Sequence, residues 1–155
     1  MVERPVGNGT RRARRGAVTE RLAVQQGWER RVWIVEDEPA AASLAVELCE
    51  SSGADATVFR APLPYLAALR GGEAPAAVIL DWRLEHELSA ALFLATRHRH
   101  PQLPIVYWTG SVATSLPAMI RDDPRTRVVD KADGTTAFER ALAWALNDEA
   151  ENQAD

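Results

Sequence analysis

Five polar residues that could carry out chemistry stand where short strand-like runs of this sequence end. They are Glu36 and Asp37 after the first run, then Asp81, Thr109 and Lys131 after three later runs. Carboxylates crowded together repel one another and need a counter-charge, and oxygen ligands in this number suit Mg²⁺. An ammonium and the metal would neutralise the oxygens of a phosphoryl group, to which a hydroxyl would donate a hydrogen bond. The residue types therefore indicate a magnesium site that handles a phosphoryl group.

Lys131 is the only lysine among 18 basic residues, and all the others are arginine. An ammonium is a compact point charge on a flexible stem, whereas a guanidinium is a wide planar fork. A position that keeps lysine in such a chain suits a tight anionic site with room for one donor. From this residue alone, a surface lysine retained by chance stays an open alternative.

The elements that must position these residues alternate between strand and helix. The sequence predicts strands at 32–35, 56–59, 77–80, 105–108 and 127–130. It predicts helices over 41–48, 63–69, 88–95, 116–121 and 138–145. Thr136 and Glu139 have the spacing of a capping box at the start of the last helix. This alternation predicts a parallel sheet covered by helices on both faces. The carboxyl ends of parallel strands share one edge of the sheet, so the five polar side chains can converge there.

The composition predicts one globular domain with two charged ends. Residues 1–31 hold eight Arg and three Glu, whereas the rest of the 155-residue chain holds ten basic and nineteen acidic groups. We predict an Arg-rich, disordered leader at 1–30 and an acidic tail at 148–155. No apolar run approaches the roughly 20 residues of a membrane helix, and a secretory signal is not expected. The single Cys49 excludes an internal disulfide and is predicted to be a buried apolar residue, so a reducing cytoplasm is expected.

Four segments share their residue types, order and spacing with a known family. They are Val35–Pro39, Ile79–Asp81, Trp108–Gly110 and Asp130–Lys131. The steps are 44 positions from Asp37 to Asp81, 28 more to Thr109 and 22 more to Lys131. Together the segments resemble the receiver domain (CheY-like) of two-component response regulators, over about residues 31–147. The resemblance implies a flavodoxin-like, doubly wound α/β fold whose five-stranded parallel sheet has the order 2-1-3-4-5 and carries five helices.

The resemblance also implies a role for each site residue. Glu36, Asp37, Asp81 and the backbone carbonyl of Arg83 would hold Mg²⁺, with Glu36 acting through water. Asp81 would be the nucleophile that accepts a phosphoryl group from the phosphohistidine of a histidine kinase or a phosphotransfer protein. Thr109 and Lys131 would sense that group. No turnover of a separate substrate is expected, so the protein would be a signalling domain rather than an enzyme.

Four positions depart from the family pattern. Val128 stands where an aromatic switch residue is usual, and Ala132 where a proline in a cis peptide follows the lysine. Glu85 and Ser89 replace a proline and a glycine in the loop after the phosphoacceptor. None of these changes removes a chemical group from the site. They bear instead on how phosphorylation is relayed, which would run through another surface or through altered loop order.

Three further residues near the site have competing interpretations. The guanidinium of Arg83 would either reach the phosphoryl group and tune its hydrolysis or remain a solvated loop cation. Trp82 and Trp108 adjoin the site, and both are predicted to pack in the core, with Trp108 pointing away from the cleft. A second interpretation places Trp82 at an exposed surface that meets a partner.

Four functions remain from the sequence alone. The preferred one is a stand-alone receiver, monomeric or weakly dimeric, that signals by protein–protein contact with an unknown output protein. A degenerate receiver that binds partners without phosphorylation is the alternative. A hydrolase with an Asp nucleophile is disfavoured because Arg83 stands where such phosphatases carry a second Asp. Nucleic-acid binding by the Arg-rich leader would collapse with salt and is not expected to be the main function.

Overall fold

Strands and helices alternate along the chain in a computed structural model that describes residues 30–84, 87–110 and 115–146, with only the backbone of 87 and 88. The strands are β1 (Arg31–Val35), β2 (Asp55–Phe59), β3 (Ala77–Leu80), β4 (Arg83–Leu84), β5 (Glu87–Leu88), β6 (Ile105–Thr109) and β7 (Thr126–Asp130). The helices of these ranges are α1 (Pro39–Ser51), α2 (Pro62–Arg70), α3 (Ala90–Arg99), α4 (Ala118–Arg121) and α5 (Thr135–Ala145). A 3₁₀ turn, Lys131–Asp133, joins β7 to α5.

Five of the strands form one parallel sheet in the spatial order β2-β1-β3-β6-β7. Counted along the chain without the β4–β5 hairpin, this is the predicted order 2-1-3-4-5, and the flavodoxin-like fold class is confirmed. The register pairs Val35 with Leu80, Leu80 with Tyr107 and Thr109 with Asp130. Because these partners stand within two residues of strand ends, the residues that end or follow the strands meet at one edge of the sheet.

Two apolar layers cover the faces of the sheet. One layer lies under α1 and α5 and includes Ile34, Ile79 and Phe138. The other lies under α2, α3 and α4 and includes Leu80 and Tyr107. Every residue of β3 is buried, which explains why its sequence is a continuous apolar run rather than an alternating one. The rigid central strands therefore hold the residues at their carboxyl ends in fixed positions.

Helix α1 begins directly behind the acidic residues of the first strand. The Glu38 side chain accepts hydrogen bonds from the backbone N–H groups of Ala40 at 3.2 Å and Ala41 at 2.7 Å, and so caps the helix. Pro39 occupies the first turn, as predicted, where its missing N–H costs nothing. The helix ends at Ser51, and Gly53 takes a φ of +81°, which a side chain would oppose.

Two local predictions are wrong. Leu88 belongs to β5, which pairs antiparallel with β4, and α3 begins only at Ala90. The predicted capping box before the last helix is not formed: Gly134, with a φ of +86°, precedes the helix, and no side chain caps it. In both places a local backbone arrangement replaces one that side-chain spacing alone had suggested.

The predicted leader and tail lie outside the described residues, except for Arg30. The carbonyl of Arg30 accepts from the Asp55 N–H at 3.0 Å, and its guanidinium donates to the Ser52 carbonyl at 2.7 Å. Arg30 therefore belongs with the fold rather than with the leader. Among the described helices, none has the length and apolar character needed to cross a membrane.

Candidate functional site

The predicted site residues converge at the carboxyl ends of β1, β3, β6 and β7. They border an open cleft of about 660 Å³. The cleft is lined by Glu36, Glu38, Asp81, Arg83, Thr109, Gly110, Ser115 and Lys131. Four residues predicted from separate strand ends are thus in one cleft, and Asp37 joins them through the cluster of carboxylates described below.

Lys131 binds two of the carboxylates. Its Nζ donates to Oε1 and Oε2 of Glu36 at 3.1 Å and 3.2 Å, and to Oδ2 of Asp81 at 3.2 Å. The exposed fraction of the Glu36 side chain is 2%, that of Asp81 11% and that of Lys131 25%. The ion pairs are therefore largely shielded from water. Charge–charge interactions are stronger in such a shielded place than in bulk water.

Three carboxylates form the acidic part of the site. One oxygen each of Glu36, Asp37 and Asp81 lies within 4.8 Å of the other two. Hard oxygen donors at this separation fit a divalent cation such as Mg²⁺, which binds through a few carboxylates and keeps several waters. The donor set of this chain therefore fits the ion that the sequence predicted.

Burial and a neighbouring charge raise the pKa of Glu36. Burial and the neighbouring Asp81 charge raise the pKa of Glu36 from 4.5 to about 7, although the Lys131 ammonium opposes both effects. Burial lowers the pKa of the Lys131 ammonium, but the Asp81 and Glu36 carboxylates raise it by more, so that the net change is upward. The raised pKa of Lys131 favours its charged form, and the raised pKa of Glu36 favours its protonated form.

The hairpin of β4 and β5 brings the backbone of Arg83 to Asp81. The Arg83 N–H donates to Asp81 Oδ1 at 3.4 Å, and the Ser89 N–H donates to the Trp82 carbonyl at 2.9 Å. Since Arg83 pairs with Leu88, it occupies a non-hydrogen-bonded position of the ladder, and its N–H and C=O both point away from β5. The role of this carbonyl as a metal ligand stays a prediction.

Thr109 ends β6 and is 1% exposed. It pairs in the sheet with Asp130, the residue directly before Lys131. Thr109 and Gly110 both line the cleft. A hydroxyl at this place can donate to an anion held in the cleft. The structure therefore places Thr109 with the carboxylates and the ammonium, as predicted.

Sequence reasoning missed three residues of the site. Glu38 and Ser115 line the cleft, and the Trp108 ring lies 5.2 Å from the Lys131 Nζ. Only Glu38 had a readable signal, an acidic residue directly before a proline at a helix start. The predicted packing of Trp82 in the core is confirmed, since it is 4% exposed and packs edge-on against Tyr107 at 6.2 Å, and the alternative of an exposed partner surface is wrong.

Comparison with known proteins finds similarity in structure but not in sequence. No family model matches the chain, and no curated protein matches it. A response regulator receiver protein from Sinorhizobium medicae superposes with a TM-score of 0.67 at 19% identity, covering 76% of this chain and 94% of that one. The N-terminal domain of a response regulator/sensory box/GGDEF protein from Carboxydothermus hydrogenoformans gives 0.67 at 20% identity, covering 79% and 98%.

A third match carries a metal. The receiver domain of a sensor histidine kinase from Pseudomonas aeruginosa, with a magnesium ion coordinated in its active-site cleft, gives a TM-score of 0.61 at 16% identity. The match covers 76% of this chain and 98% of that one. The chain has the fold of a response regulator receiver domain.

Two departures from the receiver pattern have visible consequences in this fold. Val128 is half-buried against the layer under α2, α3 and α4, so no aromatic ring is available at that position. The N–H of Ala132 donates to Oδ1 of Asp130 at 2.8 Å, a bond that a proline could not make. Asp130 thus fixes the turn after β7 by a hydrogen bond.

The loop after Asp81 carries the other two departures. Ser89 is 2% exposed, and its hydroxyl donates to the Tyr107 hydroxyl at 3.4 Å. Glu85 lies outside the described residues. The serine side chain therefore ties this end of the hairpin to the central strand β6.

Proposed function

We propose that this chain is a phosphoacceptor receiver in which Asp81 takes a phosphoryl group from a phosphohistidine. The observation that carries the proposal is the setting of Asp81 at the end of a fully buried central strand, facing the cleft. A carboxylate there is costly unless its surroundings use it, and here an ammonium, two further acids and a hydroxyl surround it. A purely structural role could explain each of these groups separately. It does not explain why they converge.

The transfer is a displacement at phosphorus. An Asp81 carboxylate oxygen attacks the phosphorus atom, the P–N bond to the donor imidazole breaks, and its electron pair returns to that nitrogen, which takes up a proton. The product is an aspartyl phosphate. When bound, Mg²⁺ would be held by Glu36, Asp37, Asp81 and the Arg83 carbonyl and would neutralise charge on the phosphoryl oxygens.

The protein's own groups position and neutralise the transferred phosphoryl group. Lys131, already 3.2 Å from Asp81 Oδ2, would exchange part of its contact with that carboxylate for a phosphoryl oxygen. Thr109 would donate to a second oxygen. Hydrolysis later returns the carboxylate: water attacks phosphorus, the P–O bond to Asp81 breaks, and inorganic phosphate leaves. The domain would therefore act as a timed signal, read by a protein partner, rather than as an enzyme that turns over a separate substrate.

Labelling of Asp81 tests the proposal. We expect the intact protein to gain the mass of one phosphoryl group when incubated with Mg²⁺ and acetyl phosphate or phosphoramidate, and to lose it with hydroxylamine, which cleaves acyl phosphates. Asp81→Asn should abolish the gain. Asp55→Asn is the matched control, because Asp55 is exposed at the opposite end of the sheet. Failure of the unaltered protein to gain mass with any donor would overturn the proposal.

A receiver that binds partners without phosphorylation is a second candidate. Val128 and Ala132 favour it, because both belong to the family's usual relay and neither has the expected side chain. The two candidates predict different results for partner binding. An Asp81→Asn variant that binds its partner as the phosphorylated protein does would favour the second.

A further inference from the structure

The ring of Trp108 lies beneath the Lys131 ammonium. The distance from Nζ to the ring centroid is 5.2 Å, within the range of about 6 Å over which a cation is attracted to an aromatic face. The same ammonium binds Glu36 and Asp81 on its other sides. Trp108 is 5% exposed, so the contact is largely shielded from water. The indole therefore forms the apolar side of the site that surrounds the ammonium.

The sheet register explains why the two side chains meet. Trp108 pairs with Val129, both lie in the layer under α1 and α5, and Lys131 follows Val129 by two residues. Lys131 starts from the edge strand β7, whereas Glu36 and Asp81 follow β1 and β3, which lie beyond β6. Reaching β3 means crossing two strand spacings of about 4.8 Å each. The lysine stem therefore has to pass β6, and Trp108 is where it passes.

Packing holds the indole in place without help from a hydrogen bond. Phe138 of α5 meets the ring edge-on, with centroids 5.0 Å apart and planes at 71°, and is itself 1% exposed. The Nε1 of Trp108 is buried and has no acceptor among the described residues, which is a cost that phenylalanine would avoid. Tryptophan, however, offers a cation the most attractive ring face. The attraction of the indole face for the Lys131 ammonium explains why tryptophan rather than phenylalanine stands at position 108.

We propose that Trp108 is a positioning residue that holds the Lys131 ammonium over the carboxylates before any phosphoryl group arrives. This inference rests on the proposed function for its purpose, but the placement of the ammonium can be measured without a phosphoryl donor. The Asp130–Ala132 bond at 2.8 Å fixes the base of the same side chain. The turn therefore fixes the backbone from which the Lys131 side chain starts, and the Trp108 ring contacts its ammonium.

The single lysine makes the test direct. In protein labelled with [ε-¹³C]lysine, Lys131 gives one side-chain signal. Because the Nζ lies over an aromatic face and Cε is bonded to it, the Hε resonance should be shifted upfield from that of a free lysine. Trp108→Phe should keep part of this shift, and Trp108→Met, which retains bulk without a ring, should remove it. The same order should hold for the rate of phosphoryl uptake from phosphoramidate, with Met slower than Phe and Phe slower than the unaltered protein.

Trp33 supplies the matched control. It is also 5% exposed and meets Phe59 edge-on at 5.5 Å, but it lies in the opposite apolar layer. Trp33→Met should lower stability without moving the Lys131 signal. A Lys131 signal at the free-lysine position, or one that moves equally in both methionine variants, would overturn the inference. If the signal behaves as expected but the unaltered protein takes up no phosphoryl group, the proposed function fails and the placement of the ammonium by Trp108 stands.

Discussion

Replacing Lys131 with methionine removes the ammonium that two buried carboxylates share. Breaking a buried ion pair by removing one partner typically costs about 3–5 kcal/mol. Because 25% of the Lys131 side chain is exposed, water recovers part of this, and we expect a loss of about 2–3 kcal/mol near pH 8. Methionine keeps most of the stem's bulk, so the loss reports the charge rather than a cavity.

The size of this loss should depend on pH through Glu36. Burial and the Asp81 charge raise the pKa of Glu36 from 4.5 to about 7 in the folded protein. The neutral Glu36 carboxyl therefore adds to the free energy of unfolding. This contribution is fully present below about pH 4.5 and is lost as the pH rises through about 7. Without the ammonium the pKa rises further, so the variant loses more at high pH. Near pH 5.5, where Glu36 is neutral in both proteins, the loss should fall to about 1 kcal/mol.

Urea denaturation followed by circular dichroism at both pH values measures the effect without relying on the tryptophan next to the mutation. Arg31→Met is the control, since Arg31 pairs with Glu73 at 3.3 Å and the two side chains are 28% and 58% exposed. That change should cost less than about 1 kcal/mol at either pH. A loss for Lys131→Met that is equal at the two pH values would refute the assignment of the shifted pKa to Glu36. A loss no greater than the control's would show that the pair is solvated.

Three other perturbations follow from described contacts. Mg²⁺ affinity measured by calorimetry should fall about tenfold from pH 8 to pH 6, because Glu36 must lose its proton to bind the metal, and Glu36→Gln should flatten that dependence. Arg97→Met should lower the free energy of unfolding in urea by about 3 kcal/mol, since Arg97 binds Asp123 at 2.7 Å with both side chains 15% exposed; a loss near zero would contradict this. Glu38→Ala should cost about 1 kcal/mol in the same assay through the lost α1 cap, and Glu38→Asp, which can still cap, should cost less.

The central strands could be predicted because burial on both faces leaves a simple signal. The run from Ala77 to Leu80 is entirely apolar and ends at Asp81, and the strand has those same bounds in the structure. Polar residues at the ends of such runs have few structural explanations. That is why the convergence of Asp81 with Lys131 could be predicted from types and spacing alone.

The β4–β5 hairpin could not be predicted in this way. Its strands have two residues each, too few for any periodicity, and Leu88 has the spacing of a helix with Ala91 and Leu92. Short-range backbone pairing decides the outcome here, including the bond from the Ser89 N–H to the Trp82 carbonyl. Side-chain patterns carry no information about that pairing.

The contact between Trp108 and Lys131 was missed for a different reason. Strand alternation correctly placed Trp108 in the layer away from the cleft. What it could not show is that a side chain starting on the edge strand must pass over that layer to reach acids on inner strands. Such a contact depends on strand order, which becomes informative only when combined with register.

The balance of charge at this site connects metal binding with proton release. When ionised, Glu36, Asp37 and Asp81 carry three negative charges, and the Lys131 ammonium supplies one positive charge. Burial and the neighbouring Asp81 charge raise the pKa of Glu36 to about 7, so that it keeps its proton below that pH although it lies 3.1 Å from an ammonium. A divalent cation would supply the two missing positive charges, so its binding should expel that proton. The proposed phosphoryl transfer would add negative charge to this site, and the Lys131 ammonium, which already binds Asp81, would balance part of it.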